Sequence, residues 1–351
     1  MTATTSTLGP SRLSAGWLAG GVAAIVGAAV LGTTVGPAHV PTGGALLEVI
    51  DHVPLIDLDS GLTERQATIV WELRFPRVVL GLLVGGLLAL AGGAYQGVFR
   101  NSLADPYLLG AAAGGGLGAT LAIVAGLDGA GLTDPLPLAA FAGAFGAVML
   151  TYLLGGSGER RRSPATLLLA GVAVASLLTA IQTFVQQRES ETIREVYAWI
   201  LGRLTTAGWD EVLLLVPYAA VSVTLVLIHR RVLDVLTVGD DEATSLGIPV
   251  DRARLLVVLA ASLATAAAVA VSGLIGFVGI IVPHTVRLLG GASYRIILPA
   301  SLLLGGAFLV VADVVARQAL APAEIPIGVV TAFFGAPFFL MLLRLRRAGS
   351  L

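Results

Sequence analysis

The chain consists mostly of long, nearly continuous runs of apolar residues separated by short polar segments. A helix needs about 20 apolar residues to cross roughly 30 Å of hydrocarbon. Ten runs meet or approach that length, at residues 15–36, 76–98, 107–127, 136–155, 164–186, 211–229, 254–272, 274–290, 297–316 and 326–344. They lack the short alternating segments of a membrane β-barrel. The pattern therefore predicts an all-α membrane protein, a polytopic bundle of about ten transmembrane helices.

Two of these runs are less regular than the rest. The run at 15–36 could be a cleavable signal peptide, but it is longer than the apolar core of such peptides, which is roughly 7–15 residues. We therefore predict a retained helix after a cytoplasmic tail at 1–14. The short eighth run contains Pro283, His284 and Arg287. Because proline removes an intrahelical hydrogen bond, we expect a break there, either buried in protein or lining a cavity.

Composition supports a lipid-facing surface. Hydrophobic residues make up 56% of the 351 residues and charged residues 12%, whereas a soluble domain carries roughly 25% charged residues. So few charges leave too little polar surface to cover a water-soluble globule. The 44 glycines suit helices that pack closely in a membrane. A net charge of -1 gives no basic excess for nucleic acid.

The placement of arginine orients the bundle. All 21 basic residues are arginine, and most lie on one side when the N-terminus is placed in the cytoplasm. Since cytoplasmic loops are rich in basic residues, we predict a multi-pass protein of the cell (inner or plasma) membrane with both termini cytoplasmic. Residues 37–74 then form a long external loop, and residues 230–253 form a cytoplasmic segment.

The cytoplasmic segment contains Gly239-Asp-Asp-Glu-Ala-Thr-Ser-Leu-Gly-Ile248. Three acids precede apolar Ala243 and Leu246, an order that suits a short helix because acids stabilise its first turn. The segment is either a solvated connector or a docking element for a cytoplasmic partner.

The residues needed for common enzyme chemistry are missing. The chain has 0 cysteines and no lysine, which excludes disulfides, thiolate nucleophiles and the lysine of a phosphate-binding P-loop. The four histidines contain no HExxH pair. We therefore predict a chain without catalysis or cofactor of its own, which does not hydrolyse ATP; if it pumps, a separate subunit must supply the energy. A membrane-embedded enzyme is the alternative that this disfavours.

Several polar residues lie within or beside the apolar runs. Gln96, Gln182, His284, Arg287 and Asp313 are costly in hydrocarbon, so we expect them to face the bundle interior or a cavity. They either form hydrogen bonds between helices or contact a substrate. They do not form the dense chain of acids and histidines expected of a proton relay, which disfavours an ion-coupled secondary transporter.

From residue 70 to 345 an ordered set of motifs resembles a known family. The motifs are Leu73-Arg-Phe-Pro-Arg77, Gln96-Gly-Val-Phe-Arg-Asn-Ser-Leu-Ala-Asp-Pro-Tyr-Leu-Leu-Gly110, Leu167-Leu-Leu-Ala-Gly-Val172, Trp199-Ile-Leu-Gly202, Gly239–Gly247, Gly273-Leu-Ile-Gly-Phe-Val-Gly-Ile-Ile-Val-Pro-His284, Ala312-Asp313, Pro326-Ile-Gly-Val-Val-Thr331 and Gly335-Ala-Pro337. Together they are similar to FecCD-type permease subunits of type II ABC importers, which take up ferric siderophores, haem and cobalamin. Ser102 departs from the family pattern, which usually has proline there.

The resemblance implies a single transmembrane permease domain over 1–351, with the type II ABC importer permease fold. It also implies partners: a cytoplasmic ABC ATPase dimer that uses Mg-ATP, an extracytoplasmic substrate-binding protein, and a second permease copy that is either identical or a related chain. Matching positions suggest contacts to the ATPase at Asp240, Glu242, Leu246 and Gly247. They suggest contacts to the binding protein at Arg74, Arg77 and Arg317, and a pathway or gate at Asn101, Leu103, Ser163, Pro164 and Gln182.

The same resemblance leaves the cargo open. A ferric siderophore is the commonest cargo of the family and is our expectation from sequence, with cobalamin or haem as alternatives. No metal site is expected within the chain itself.

Overall fold

The computed structural model describes residues 14–127, 129, 134–155, 164–189, 191–204 and 208–347. Within these ranges the α-helices are α1 (Ala15–Thr34), α2 (Thr42–Asp51), α3 (Glu64–Thr68), α4 (Phe75–Phe99), α5 (Ala111–Val124), α6 (Pro135–Gly155), α7 (Pro164–Arg188), α8 (Ile193–Ile200), α9 (Trp209–Ile228), α10 (Arg230–Val238), α11 (Asp240–Ser245), α12 (Val250–Ser272), α13 (Val278–Gly290), α14 (Tyr294–Gln318) and α15 (Ile327–Arg347). A π-helical turn spans Ile69–Arg74, and a 3₁₀ turn spans Pro106–Leu109.

The predicted helical bundle is confirmed. Within the part of the chain that the structure describes, seven helical stretches are long and apolar enough to cross a membrane, namely α1, the continuous stretch Glu64–Phe99, α6, α7, α9, α12 and α14. Shorter apolar helices α5, α13 and α15 occupy the third, eighth and tenth predicted spans. The multi-pass membrane architecture therefore follows from both sequence and structure.

Helix α4 lies at the centre of the bundle and packs against α9, α12, α13 and most extensively α14. Glycines allow its close contact with α14. A Cβ added at Gly85 would clash with the Gly305 carbonyl oxygen, and one added at Gly305 would lie 2.5 Å from the Gly85 carbonyl oxygen. Such reciprocal contact between backbones is how small residues stabilise helix pairs in membranes.

The two long predicted loops contain more helix than expected. The stretch that continues into α4 begins at Glu64, so the loop predicted at 37–74 ends at residue 63, eleven residues before its predicted limit. Thr63 caps this start, because its hydroxyl accepts from Gln66 N while Gln66 Oε1 accepts from Thr63 N. On the other face α12 begins at Val250 rather than 254, and the preceding residues form α10 and α11.

The predicted break at Pro283 was wrong in position. Helix α13 runs through Pro283 without interruption, and the non-helical segment lies before it, at 273–277. Gly273 and Phe277 there have φ values of 68° and 69°, in the left-handed region that bulky residues seldom adopt.

Gln96 explains why α13 tolerates its proline. Pro283 has no N–H to donate to the carbonyl four residues earlier, that of Gly279. Gln96 of α4 donates from Nε2 to that Gly279 oxygen at 3.2 Å. Gln96 is 1% exposed, so this hydrogen bond between helices replaces one that the proline removes.

A double-mutant cycle tests this compensation. We expect Gln96→Leu to destabilise the protein by about 1–3 kcal/mol, because it leaves a buried carbonyl without a donor. The same change in a Pro283→Ala background should cost less, since an alanine at that position would supply its own N–H. Unfolding in mixed detergent micelles measures both costs, and equal costs in the two backgrounds would contradict the compensation.

Candidate functional site

A buried ion network lies at one end of the bundle, the end predicted to face outward, around Asp313 of α14. Arg77 of α4 donates to it from Nη2 to Oδ1 at 2.8 Å and from Nε to Oδ2 at 3.0 Å. The other edge of the same guanidinium donates to both carboxylate oxygens of Glu324, at 3.1 and 2.9 Å. Nε of Arg317, one turn along α14, lies 3.1 Å from Asp313 Oδ2. Asp313 is 2% exposed and Glu324 has a side chain that is 33% exposed, so the network extends from the interior to the surface.

Arg74 and Arg317 bind the end of α1. Arg317 donates to the carbonyls of Gly32 and Val35 at 3.0 and 3.2 Å. Arg74 donates to those of Thr33 and Thr34, each at 3.2 Å, and also to Ala38. The last carbonyls of a helix lack intrahelical donors and carry partial negative charge. Two arginines therefore hold α1 against α4 and α14.

This use of Arg74 and Arg317 differs from the exposed docking contacts expected from sequence. Both are buried, because their guanidinium groups are directed inward onto α1. Arg77 lines a cavity of about 210 Å³ at the same end, together with Arg203, Asp313 and Glu324. Of the three arginines, Arg77 is thus the one that the structure places beside an open, charged cavity.

On the opposite face, Asp240 connects three helices. It is the first residue of α11, and its carboxylate accepts from Arg254 of α12 at 3.1 and 3.3 Å and from Arg100 at the end of α4. Arg254 is buried, and the Asp240 side chain is partly exposed. Asp240 is therefore engaged within the chain, whereas the sequence suggested a contact to a partner.

The other residues predicted in this segment lie at the surface. Ala243 is fully buried and fixes the orientation of α11. Leu246 is 69% exposed, and Glu242 is also exposed. Gly247 has a φ of 78°, a conformation that favours glycine, and it follows the end of α11. The result is a short helix that presents an apolar side chain and an acid on its outer side.

The predicted gate follows α4 directly. Arg100 adopts a left-handed conformation, with a φ of 50°, and ends the helix. Asn101 Oδ1 then accepts from Leu103 N at 3.0 Å, an Asx turn that reverses the chain. The ion pair of Arg100 therefore lies one residue from the turn that holds Asn101 and Leu103. Ser163 lies outside the described residues, and Pro164 is the first residue of α7.

Gln182 of α7 makes a hydrogen bond between helices. Its Nε2 donates to Thr120 Oγ1 of α5 at 3.2 Å, and the residue is buried. In this conformation Gln182 packs against α5. Hydrogen bonding between helices is one of the two roles that its sequence position allowed; the other is contact with a substrate.

Sequence reasoning missed Tyr107, in the 3₁₀ turn after the predicted gate. Its hydroxyl donates to the Ile275 carbonyl and accepts from the Ile275 N–H, both at 3.0 Å. Ile275 is in the non-helical segment 273–277, and unpaired backbone groups there would be costly. The Tyr107 hydroxyl thus pairs with both backbone polar groups of Ile275. No local pattern signals such a contact, because the two residues are 168 positions apart.

Two other features bear on chemistry. A surface groove of about 650 Å³ between α5 and α6 is lined by alanine, glycine and leucine, so it offers no polar side chain to a chelate. Among the described residues, no group of three or more His, Asp or Glu could hold a metal ion.

Comparisons with known proteins agree on one family. The profile of the FecCD transport family matches residues 16–345. The cobalamin import system permease protein BtuC of Halobacterium salinarum is 41% identical over 297 residues, which cover 84% of this chain and 78% of that protein. The uncharacterized ABC transporter permease YvrB of Bacillus subtilis is 37% identical, with 91% of each chain covered.

A solved structure supports the same fold. The inward-facing conformation of a metal-chelate type ABC transporter superposes with a TM-score of 0.80 and 31% sequence identity. The match covers 93% of this chain and 98% of that one. The helical arrangement described above is therefore that of an ABC transporter membrane subunit.

The burial of the ion network predicts that replacing its two acids lowers the free energy of unfolding by different amounts. Asp313→Asn should cost about 3–5 kcal/mol, because it leaves buried arginines without their counter-charge. Glu324→Gln, which contacts the same Arg77 from a partly exposed position, should cost under about 1 kcal/mol. Both replacements keep the side-chain shape, so unfolding midpoints in detergent compare charge alone. Similar losses for the two variants would show that burial does not set the strength of this network.

Proposed function

The chain belongs to the FecCD transport family and is the permease subunit of an ABC importer. We propose that a separate ATPase drives it through α11, and that a cargo-binding protein docks at its outer end. The observation that carries the first part is the exposed Leu246 beside the buried Ala243. A short helix held rigidly on the bundle, with one large apolar side chain directed away from it, suits insertion into a cleft of another subunit.

We propose that Asp240 transmits the movement of α11 into the membrane. Its carboxylate joins α11 to Arg100, and Arg100 ends α4 one residue before Asn101. A displacement of α11 would therefore pull on the turn that holds the proposed gate residues Asn101 and Leu103. Arg254 binds the same carboxylate from α12, so the helix beside the gate would move with it. The proposed contacts to the ATPase are then Glu242, Leu246 and Gly247.

The outer end would receive the binding protein at Arg77. Its cavity also contains Arg203, Asp313 and Glu324. Of these, Arg203 is partly exposed and Glu324 is exposed, so ion pairs that a partner formed with them would suit transient docking, because exposed ion pairs are weak and screened by salt. Arg74 and Arg317 would support docking indirectly, since they fix α1 and the position of Arg77 through Asp313. The second permease copy, the cytoplasmic termini, and the gate at Ser163 and Pro164 rest on the family resemblance and are proposed with it.

The proposed transport needs no chemical reaction within this chain. We propose that it carries no cofactor, that the partner ATPase binds Mg-ATP, and that residues 1–351 act as one permease domain with Gln182 on the pathway helix. The chain would provide a pathway that opens alternately to each side of the membrane for a bulky cargo.

For the cargo we propose cobalamin, with a ferric siderophore as the second candidate. The sequence alone favoured a siderophore. The named relative with 41% identity is a cobalamin import permease, which supports the corrinoid. The metal-chelate type transporter with a TM-score of 0.80 supports the siderophore.

Uptake into proteoliposomes tests the proposal. The chain is reconstituted with its ATPase and binding protein, and accumulation of labelled cyanocobalamin and of a labelled ferric siderophore is measured with and without ATP. We expect accumulation only with ATP, and of cobalamin over the siderophore. Uptake that needs no ATPase would instead indicate an ion-coupled secondary transporter.

The same uptake assay, applied to matched variants, tests whether α11 is the coupling surface. Leu246→Arg should abolish uptake with little loss of stability, because Leu246 is largely exposed. The control is Leu289→Arg, at the inner end of α13, where the leucine is equally exposed but lies outside α11. Equal losses in both variants, or full uptake by Leu246→Arg, would overturn the assignment of α11.

A further inference from the structure

An exposed apolar turn follows α2 on the predicted outer side. Ile56 N donates to the Val53 carbonyl at 3.1 Å, with Pro54 and Leu55 between them. Leu55 has a φ of 75° and is 106% exposed. This arrangement resembles a type II turn, in which proline suits the second position and glycine or asparagine the third.

Leucine is an unfavourable residue for that third position. A side chain with a Cβ is strained at positive φ, and Leu55 gains no burial in return. Glycine would relieve the strain, and asparagine would suit water better. A large apolar side chain there contributes to stability only by contact with something outside the chain.

The neighbouring backbone holds this turn in a defined shape. Leu58 N donates to Asp51 Oδ1 at 2.8 Å. Ser60 Oγ donates to Oε2 of the buried Glu48 at 2.7 Å. Six apolar side chains around the turn are more than a third exposed, namely Leu47, Ile50, Val53, Leu55, Ile56 and Leu58. Together they form an exposed apolar surface around the turn.

Aromatic contacts locate this surface beside the membrane boundary. His52 stacks on Trp71 with ring centroids 3.6 Å apart, and Trp71 contacts Trp209 at 4.9 Å. Trp209 Nε1 donates to the Trp71 carbonyl at 3.1 Å. Trp209 is the first residue of α9, a membrane span, and tryptophan is enriched where spans meet the water interface.

Helix α9, which begins at Trp209, carries further exposed apolar side chains. Leu213 and Val221 are both at least half exposed along its length, as expected for a face in contact with lipid. The turn therefore begins at the interface, beside a helix whose exposed face is apolar.

We propose that the turn at 53–58 inserts into the outer leaflet and binds the boundary between headgroups and acyl chains. The partner is the lipid surface itself, recognised by apolar burial. Exposed Asp57 lies within the turn and exposed Asp59 follows it; both keep insertion shallow, since charges stay at headgroup level. The proposal rests on membership of a membrane permease family and not on the partners proposed above.

The absence of cysteine makes the test direct, because the chain has 0 Cys and single-cysteine variants need no background changes. Leu55→Cys is labelled with an environment-sensitive fluorophore and reconstituted in phosphatidylcholine vesicles that contain headgroup-proximal spin-labelled lipid. We expect blue-shifted emission and several-fold stronger quenching than for the matched control Glu64→Cys. Glu64 is exposed at the start of α3 on the same side.

The same measurement can overturn the proposal. Water-like emission and equal, weak quenching at both positions would place the turn in solvent. Shielding of the Leu55→Cys label only after a purified binding protein is added would assign the surface to a protein partner instead. Unfolding midpoints of both labelled variants confirm that the comparison is made on folded protein.

Discussion

The structure depends on satisfying polar groups inside an apolar bundle, where water is not available to pair with them. Gln96 supplies the donor that Pro283 cannot. Tyr107 pairs both backbone groups of Ile275 in the non-helical segment. These contacts allow α13 to begin where it does, since unpaired backbone groups in hydrocarbon each cost several kcal/mol. The short and broken helices are therefore stabilised by specific partners rather than tolerated as defects.

The charged residues are governed by the same constraint and collect at the two ends of the bundle. At the end predicted to face outward, Asp313 pairs with Arg77 and Arg317. At the opposite end, Asp240 joins α11 to α4 and α12. The middle of α4 is apolar and packed closely through glycine against α14. A rigid centre with ionic connections at each end is suited to transmitting movement from one membrane face to the other.

Hydropathy predicted the ten apolar helices because the bilayer sets their length and composition locally. It could not predict contacts between distant residues. Arg77 and Asp313 are 236 positions apart, and nothing near Arg74 in sequence shows that it binds the end of α1. The docking contacts of these arginines stay a prediction, and the sequence did not reveal that Arg74 and Arg317 are buried. Glu324 and Tyr107 carried no local signal, and Pro283 suggested a break because its partner Gln96 lies on another helix.

In the proposed mechanism, Asp240 transmits movement from α11 to the end of α4. The most direct test is the number of cargo molecules imported per ATP hydrolysed by the reconstituted complex with Asp240→Asn. This change weakens the pairing to Arg100 and Arg254 but leaves the exposed Leu246 in place. We expect the ATPase to stay bound and active while the import ratio falls severalfold. A ratio equal to that of the unmodified complex would contradict it.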